Sequence, residues 1–155
     1  MAVSRSQRED EPRFAGGADV RYIETSAVVA AIVEGDVNAD RAIRGEGQRI
    51  ASVLTFVEAR RTIARLAAMG RMTSRAQRSA LGHLRALEAH LDLMSMGGEV
   101  LERIGKPFPV EPVRTLDAIH LATAEMLDES PQLITIVTRD RRVAQNARAM
   151  GFVVE

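Results

Sequence analysis

Acidic residues stand at positions in this chain where an α/β domain can bring distant carboxylates together. The acids in question are Glu24, Glu58, Asp117 and Asp140. Glu24 follows the apolar run 20–23, which predicts a β-strand. Asp140 follows a second such run, 133–138, and Asp117 lies in the first turn of a predicted helix. Open α/β sheets hold their sites at the carboxyl ends of strands and at the helix ends beside them, so these acids can meet at one point.

A cluster of carboxylates has a definite chemistry. Close negative charges repel one another unless a cation neutralises them, and oxygen ligands select a hard divalent ion, Mg²⁺ or Mn²⁺. Such an ion activates a bound water and stabilises charge on phosphate oxygens. The pattern therefore predicts a metal-dependent phosphodiester hydrolase. Asp117 and Asp140 also suit simple roles at helix N-termini. Glu58 lies near an apolar stripe and needs a cation or hydrogen bonds there, which Arg61 or Arg65 can supply.

Alternating strands and helices position these acids. Strands are predicted at 20–23, 49–52, 91–95, 133–138 and 152–154. Helices are predicted at 26–34, 38–44, 53–69, 73–90, 98–104, 115–127 and 141–150. The inner face of the helix 53–69 is predicted to carry Val53, Phe56, Val57, Ile63 and Leu66. The alternation predicts an α/β fold with a mainly parallel five-stranded central sheet and helices on both faces. Residues 1–19 are polar and lack periodicity, which predicts a disordered tail before one folded domain over 20–155.

Composition narrows the class of protein. The chain has 155 residues, no cysteine and equal numbers of basic and acidic residues, 21 each. It holds no apolar run near the roughly 20 residues of a membrane span, and its start has no apolar signal-peptide core, so we expect a cytoplasmic protein. Because net charge is zero, attraction to nucleic acid must come from local arginines. Those that flank the acids are Arg60, Arg61, Arg139, Arg141 and Arg142.

Short segments around the acids resemble a known family. They are Tyr-Ile-Glu-Thr-Ser-Ala at 22–27, Ser-Val-Leu-Thr-Phe-Val-Glu-Ala-Arg-Arg at 52–61, Arg-Thr-Leu-Asp-Ala-Ile-His-Leu-Ala at 114–122 and Val-Thr-Arg-Asp-Arg-Arg at 137–142. In this order and spacing they resemble the PIN domain, and more narrowly the VapC toxins of bacterial toxin–antitoxin pairs. The resemblance runs from Val20 to the C-terminus.

The resemblance implies a three-layer α/β/α fold, Mg²⁺- or Mn²⁺-dependent endoribonuclease activity, a cognate antitoxin and a homodimer. Glu58 matches the family's helix-borne acid, and Asp117 and Asp140 match its later aspartates. Thr25 and Thr138 match hydroxyl residues beside the metal pocket. An antitoxin segment is expected across the helices predicted at 26–34 and 53–69, with a basic side chain among the acids.

Glu24 departs from the family pattern, which has aspartate at this position. The longer side chain can coordinate through a shifted rotamer, act through a water or weaken the site, since Mg²⁺ demands near-ideal geometry. The alternative function is therefore a catalytically weakened PIN-like module that binds RNA or a partner protein. A structure-specific DNA nuclease of the wider group is a further rival, which the short chain disfavours. His120 is predicted to be a packed, hydrogen-bonded helix residue rather than a ligand.

Overall fold

A fully parallel sheet forms the centre of the domain. The computed structural model describes residues 19–155, so the predicted disordered tail lies outside the described residues except for Asp19. The strands are β1 (Val20–Ile23), β2 (Gln48–Ser52), β3 (Asp92–Met94), β4 (Ile134–Val137) and β5 (Val153–Val154). They pair in the order β3-β2-β1-β4-β5, and every pair is parallel. The prediction of a five-stranded parallel sheet is confirmed.

Helices connect the strands. They are α1 (Thr25–Val29), α2 (Val37–Ile43), α3 (Val53–Ala68), α4 (Ser74–Glu88), α5 (Gly98–Ile104), α6 (Thr115–Glu125) and α7 (Arg141–Ala149). α1 passes directly into a π-helical segment, Ala30–Glu34, which ends at Gly35 in the left-handed conformation that glycine adopts without strain. Leu133, which was predicted to begin β4, is instead the last residue of a 3₁₀ turn, Pro131–Leu133. Within residues 19–155 no helix is both long enough and apolar enough to cross a membrane.

Two hydrophobic cores lie on opposite faces of the sheet. Val20 and Tyr22 of β1 pack in one core with residues of α5, α6 and α7. Ile23, the next residue in β1, packs in the other core with residues of α1 to α4. This alternation follows from the pleat, because successive strand residues point to opposite faces. The three-layer α/β/α arrangement is thereby confirmed.

The centre of the sheet contains a topological switch point. From β1 the chain moves outward through β2 to β3, and then returns to the other side of β1 to form β4 and β5. The Glu24 N–H donates to the Val137 carbonyl oxygen at 3.0 Å, so β1 and β4 stay paired to their carboxyl ends. At such a point the flanking connections diverge and leave a crevice, which is where open α/β sheets bind ligands.

Candidate functional site

The predicted acids gather around one pocket at this crevice. Glu24, Glu58, Asp117 and Asp140 all line a cavity of about 970 Å³. Glu24 follows β1, and Asp140 follows β4 by three residues. Glu58 comes from α3 in one helical layer, and Asp117 comes from α6 in the other. All three layers of the fold therefore contribute a carboxylate to the same cavity.

Glu24 is buried and hydrogen-bonded through a single oxygen. Its Oε2 accepts the Ser26 N–H at 3.0 Å, the Thr138 hydroxyl at 2.8 Å and the Ser26 hydroxyl. The Glu24 side chain is thus the N-cap of α1. Ser26 Oγ also accepts the N–H groups of Arg139 at 2.7 Å and Asp140 at 3.0 Å. Ser26, which the sequence argument did not single out, therefore joins the ends of β1 and β4.

Asp140 combines the two roles that the sequence left open. Its Oδ1 accepts the N–H groups of Arg142 at 2.7 Å and Val143 at 3.3 Å, so the side chain caps α7. Its own N–H donates to the hydroxyls of Ser26 and Thr138, each at 3.0 Å. Because the same side chain lines the acid pocket, the cap fixes a carboxylate at the pocket wall.

The surroundings of Asp117 are unfavourable for an ionised carboxylate. Its Oδ2 is buried and has no hydrogen-bond partner within residues 19–155. Burial raises the pKa of Asp117, and the nearby charges of Asp140 and Glu24 raise it further, while Arg114 and His120 act in the opposite direction. The carboxylate is thus held near like charges with one oxygen unsatisfied.

Glu58 is held by a threonine and a histidine rather than by an arginine. The Thr25 hydroxyl donates to Glu58 Oε1 at 2.8 Å, and His120 Nε2 lies 2.7 Å from the same oxygen. Within the described chain neither Arg61 nor Arg65 forms a salt bridge with it, so that expectation was wrong. The interpretation of His120 as a packed, hydrogen-bonded residue is confirmed, since it is 1% exposed.

The donor set of this pocket fits a hard divalent cation. Across residues 19–155 no group of three or more His, Asp or Glu side chains lies close enough together to bind a metal ion without side-chain movement. The atoms of this pocket that could bind a cation are nevertheless carboxylate and hydroxyl oxygens, among them the unpartnered Asp117 Oδ2, and oxygen ligands suit Mg²⁺ and Mn²⁺. A cation would also offset the repulsion that raises the pKa of Asp117. Glu24, Asp117 and Asp140 are the residues that fit this role best, with Glu58 nearby.

The arginines predicted to bind RNA occupy different environments. Arg60 forms a salt bridge with Glu88 of α4, and Arg139 Nε lies 3.1 Å from Asp36 Oδ2. Arg61 and Arg141 are exposed and form no salt bridge with any other described residue. Arg139 and Arg141 line a second cavity of about 520 Å³ that shares Asp140 with the acid pocket.

Further arginines line the acid pocket itself. Arg65, Arg71 and Arg114 belong to its wall, together with the apolar side chains of Val29, Val33, Leu66 and Met72. None of these arginines was predicted to contact RNA. Two of them have a local signal in the sequence: Arg114 directly precedes the helix that carries Asp117, and Arg65 lies on the same helix as Glu58. Arg71 comes near the acids through the turn that follows α3.

This fold and pocket place the chain in a known class: it belongs to the PIN domain family, whose model matches residues 21–149. It is 36% identical over 135 residues to Ribonuclease VapC46 of Mycobacterium tuberculosis, covering 86% of this chain and 94% of that protein. The resemblance to VapC proteins is therefore confirmed.

Solved structures share the fold at lower identity. VapBC2 from Rickettsia felis, solved bound to a DNA fragment from its promoter, superposes with a TM-score of 0.60 at 11% identity, over 88% of this chain and 97% of that one. Mycobacterium tuberculosis VapC20, a sarcin-ricin loop cleaving toxin, gives a TM-score of 0.59 at 16% identity, over 86% and 96%.

Proposed function

We propose that this protein is a metal-dependent endoribonuclease, the toxin of a VapBC-type toxin–antitoxin pair, acting in the cytoplasm. Membership of the PIN domain family supports the proposal, as does the identity to a relative named as a ribonuclease. The observation that carries it is the buried, unpartnered Oδ2 of Asp117 in a pocket lined by three further acids. A carboxylate oxygen left unsatisfied beside like charges is destabilising on its own, and a bound cation removes that cost.

The chain's own residues would prepare the reaction as follows. Glu24, Asp117 and Asp140 would hold Mg²⁺ or Mn²⁺, which supplies an activated water and offsets charge on the phosphate. Thr138 fixes the Glu24 carboxylate by its hydrogen bond to Oε2. Thr25 fixes Glu58 in the same way, through Oε1. Glu58 would orient the attacking water or complete the ligand set, and no covalent enzyme intermediate is required.

The pocket walls suit a single-stranded or looped RNA. Apolar side chains such as Val33 and Met72 offer a surface for unstacked bases, while Arg65, Arg71 and Arg114 can meet phosphates. The second cavity continues from the shared wall residue Asp140, and we propose that its arginines hold the strand beyond the scissile phosphate. The substrate is unpaired RNA because the bases of a duplex stay stacked, which hides the faces that such a pocket would contact.

An antitoxin and a second copy of the chain complete the proposal. We propose that an antitoxin segment lies across α1 and α3 and places a basic side chain among the acids. Val29 and Leu66, from these two helices, give the pocket an apolar wall that such a segment would cover. A complex that leaves the four carboxylates open to solvent and retains full cleavage would refute this mode of inhibition. The oligomeric state is measured by light scattering, which we expect to give a homodimer.

Cleavage by the purified full-length chain tests the activity. Metal-stripped protein should leave a single-stranded RNA intact, and millimolar Mg²⁺ or Mn²⁺ should restore cleavage that EDTA again removes. The Asp117→Asn variant keeps the side-chain shape and loses the charge, so it should fold and fail to cleave. Cleavage that persists in EDTA, or an Asp117→Asn protein as active as the wild type, would refute the proposal.

A second candidate function follows from the hydrogen bonds of Glu24. Its Oε2 already accepts three donors, so Glu24 is less available to a cation than a carboxylate without such bonds. Under this alternative the protein binds RNA or a partner without cutting it. RNA binding by the wild-type chain without cleavage at any Mn²⁺ concentration would favour the binding module. Metal-dependent product formation would favour the nuclease.

A further inference from the structure

Tyr22 and His120 form a buried polar pair beneath the acid pocket. The Tyr22 hydroxyl lies 2.9 Å from His120 Nδ1, and the two rings meet edge to face with centroids 6.1 Å apart. Each residue is 1% exposed. Burial raises the pKa of Tyr22 well above its usual range, so the hydroxyl keeps its proton. Two apolar side chains of this size would fill the same volume without hydrogen bonds, and the polar pair therefore calls for a reason beyond packing.

The hydrogen on the histidine ring can be placed from its neighbours. Glu58 Oε1 lies 2.7 Å from His120 Nε2, and an ionised carboxylate only accepts. Nε2 must therefore carry a hydrogen. In the neutral ring Nδ1 then accepts, and Tyr22 is the donor at that nitrogen. A continuous chain of hydrogen bonds thus runs from Tyr22 through His120 to Glu58.

Glu58 is restrained at one oxygen and available at the other. Thr25 and His120 both reach Oε1, and no hydrogen bond within residues 19–155 reaches Oε2. Thr25 Oγ1 also lies 3.0 Å from His120 Nε2, so the two donors stand side by side against the same oxygen. A glutamate on a helix has three rotatable side-chain bonds, and these two hydrogen bonds restrain them.

We propose that Tyr22 and His120 are positioning residues that hold Glu58 with its second oxygen directed to the cation and the attacking water. This inference rests on the proposed nuclease function. In this proposal His120 affects the reaction mainly through its hydrogen bond to Glu58. Partners in the outer shell of a metal site commonly change metal affinity or activity by about 10- to 100-fold when removed.

Variants of His120 test the inference through Mn²⁺ affinity and through kcat. His120→Leu should weaken Mn²⁺ binding, measured by isothermal titration calorimetry, and lower kcat by about 10- to 100-fold with KM for RNA unchanged. His120→Gln retains an N–H donor of similar reach and should recover part of both losses. Tyr22→Phe removes one hydrogen bond, which corresponds to a loss of about 2- to 13-fold. His83→Gln, a change of an exposed histidine, is the matched control and should alter neither quantity.

A double-mutant cycle separates positioning from general packing. In a Glu58→Gln background, His120→Leu should change the Mn²⁺ dissociation constant by no more than about twofold, because the group through which it acts is gone. If His120→Leu weakened Mn²⁺ binding equally in the wild-type and Glu58→Gln backgrounds, the inference would be overturned. It would also be overturned if the wild type bound Mn²⁺ and His120→Leu bound it with the same affinity.

Nuclear magnetic resonance of the metal-free wild type shows which nitrogen of His120 carries the hydrogen, independently of cleavage. Two-bond ¹H–¹⁵N correlations should show His120 with its hydrogen on Nε2, while the exposed His83 is the reference for a ring whose hydrogen exchanges rapidly. A His120 ring that carries hydrogen on Nδ1 alone would overturn the inference even if His120→Leu fails to fold. A wild type that neither binds Mn²⁺ nor cleaves RNA would instead remove the proposed function, and the two failures are therefore distinguishable.

Discussion

Replacing Asp117 by asparagine should stabilise the metal-free protein while it abolishes cleavage. The buried Oδ2 of Asp117 has no hydrogen-bond partner in residues 19–155, and Asp140 and Glu24 add like charge nearby. Asparagine removes this charge, and its amide N–H can donate to the neighbouring carboxylates, which relieves a cost of roughly 1–3 kcal/mol for an unsatisfied buried group. Because Asp117 is only half-buried, solvent screens part of this, and we expect a gain of about 1 kcal/mol. In a domain of this size that corresponds to a rise in Tm of about 2–4 °C.

The stability advantage of Asp117→Asn over the wild type should grow as pH rises. Below the ordinary Asp117 pKa of 3.8, the carboxyl is protonated in both the folded and the unfolded state, and the variant has no advantage. Between 3.8 and the raised folded-state pKa, only the folded state holds the proton, so wild-type stability falls as pH rises. Above the folded-state pKa the advantage of Asp117→Asn should be complete.

A bound metal ion should make the wild type more stable than Asp117→Asn, the reverse of their order without metal. Mn²⁺ at 100 times its dissociation constant stabilises a folded protein by about 2.7 kcal/mol. The wild type should gain this in a thermal melt and Asp117→Asn should not. Asp128→Asn, a change of an exposed aspartate, should behave as wild type throughout. An Asp117→Asn protein less stable than the wild type in EDTA at neutral pH, or equal stabilisation of both by Mn²⁺, would refute the reasoning.

Further predictions concern the cap, a turn and the arginines. Glu24→Ala should abolish cleavage and cost about 0.5–2 kcal/mol of stability through loss of the α1 cap. Glu24→Asp should keep the cap and raise Mg²⁺-dependent cleavage. A Glu24→Ala protein that cleaves RNA at the wild-type rate would exclude Glu24 from the mechanism. Gly47→Ala places a Cβ 2.0 Å from the Asp19 carbonyl oxygen at a φ of +110° and should cost at least about 1–3 kcal/mol in urea denaturation. Gly82→Ala, in open space within α4, should instead stabilise by about 1 kcal/mol. Arg141→Ala should weaken RNA binding, and the slope of the logarithm of the binding constant against the logarithm of the salt concentration should fall in magnitude by about 1. An unchanged slope would remove Arg141 from the RNA path.

The sequence predicts the strands and the helices well, because local periodicity carries that information. Every predicted helix is present, and most ends agree within one or two residues. The inner face of α3 was predicted less well. Phe56 and Ile63 are buried, but Val53 and Val57 are 40% and 53% exposed. Small residues complete the buried face instead, namely Thr55 and Ala59, and a search for large apolar residues passes over them.

The acids were predictable, and their hydrogen-bond partners were not. Strand ends and helix starts are local features, so the four carboxylates could be located from the chain alone. The bond between His120 and Glu58 spans 62 residues, and nothing near either position in the sequence indicates the other. For the same reason the sequence did not indicate that Arg60, a predicted RNA contact, pairs with Glu88 on the neighbouring helix. The π-helical turn after α1 likewise reflects how the chain packs rather than a residue pattern.

The position of β1 at the centre of the sheet governs when activity can arise during synthesis. β1 is made first, but its neighbour β4 supplies the Thr138 hydroxyl that fixes Glu24, 114 residues later in the chain. At about 5–20 residues per second, roughly 6–23 seconds separate the synthesis of these two side chains. Until then a nascent chain has only part of the acid pocket. The acid pocket is therefore complete only after β4 and Asp140 have been made and have joined the first strand.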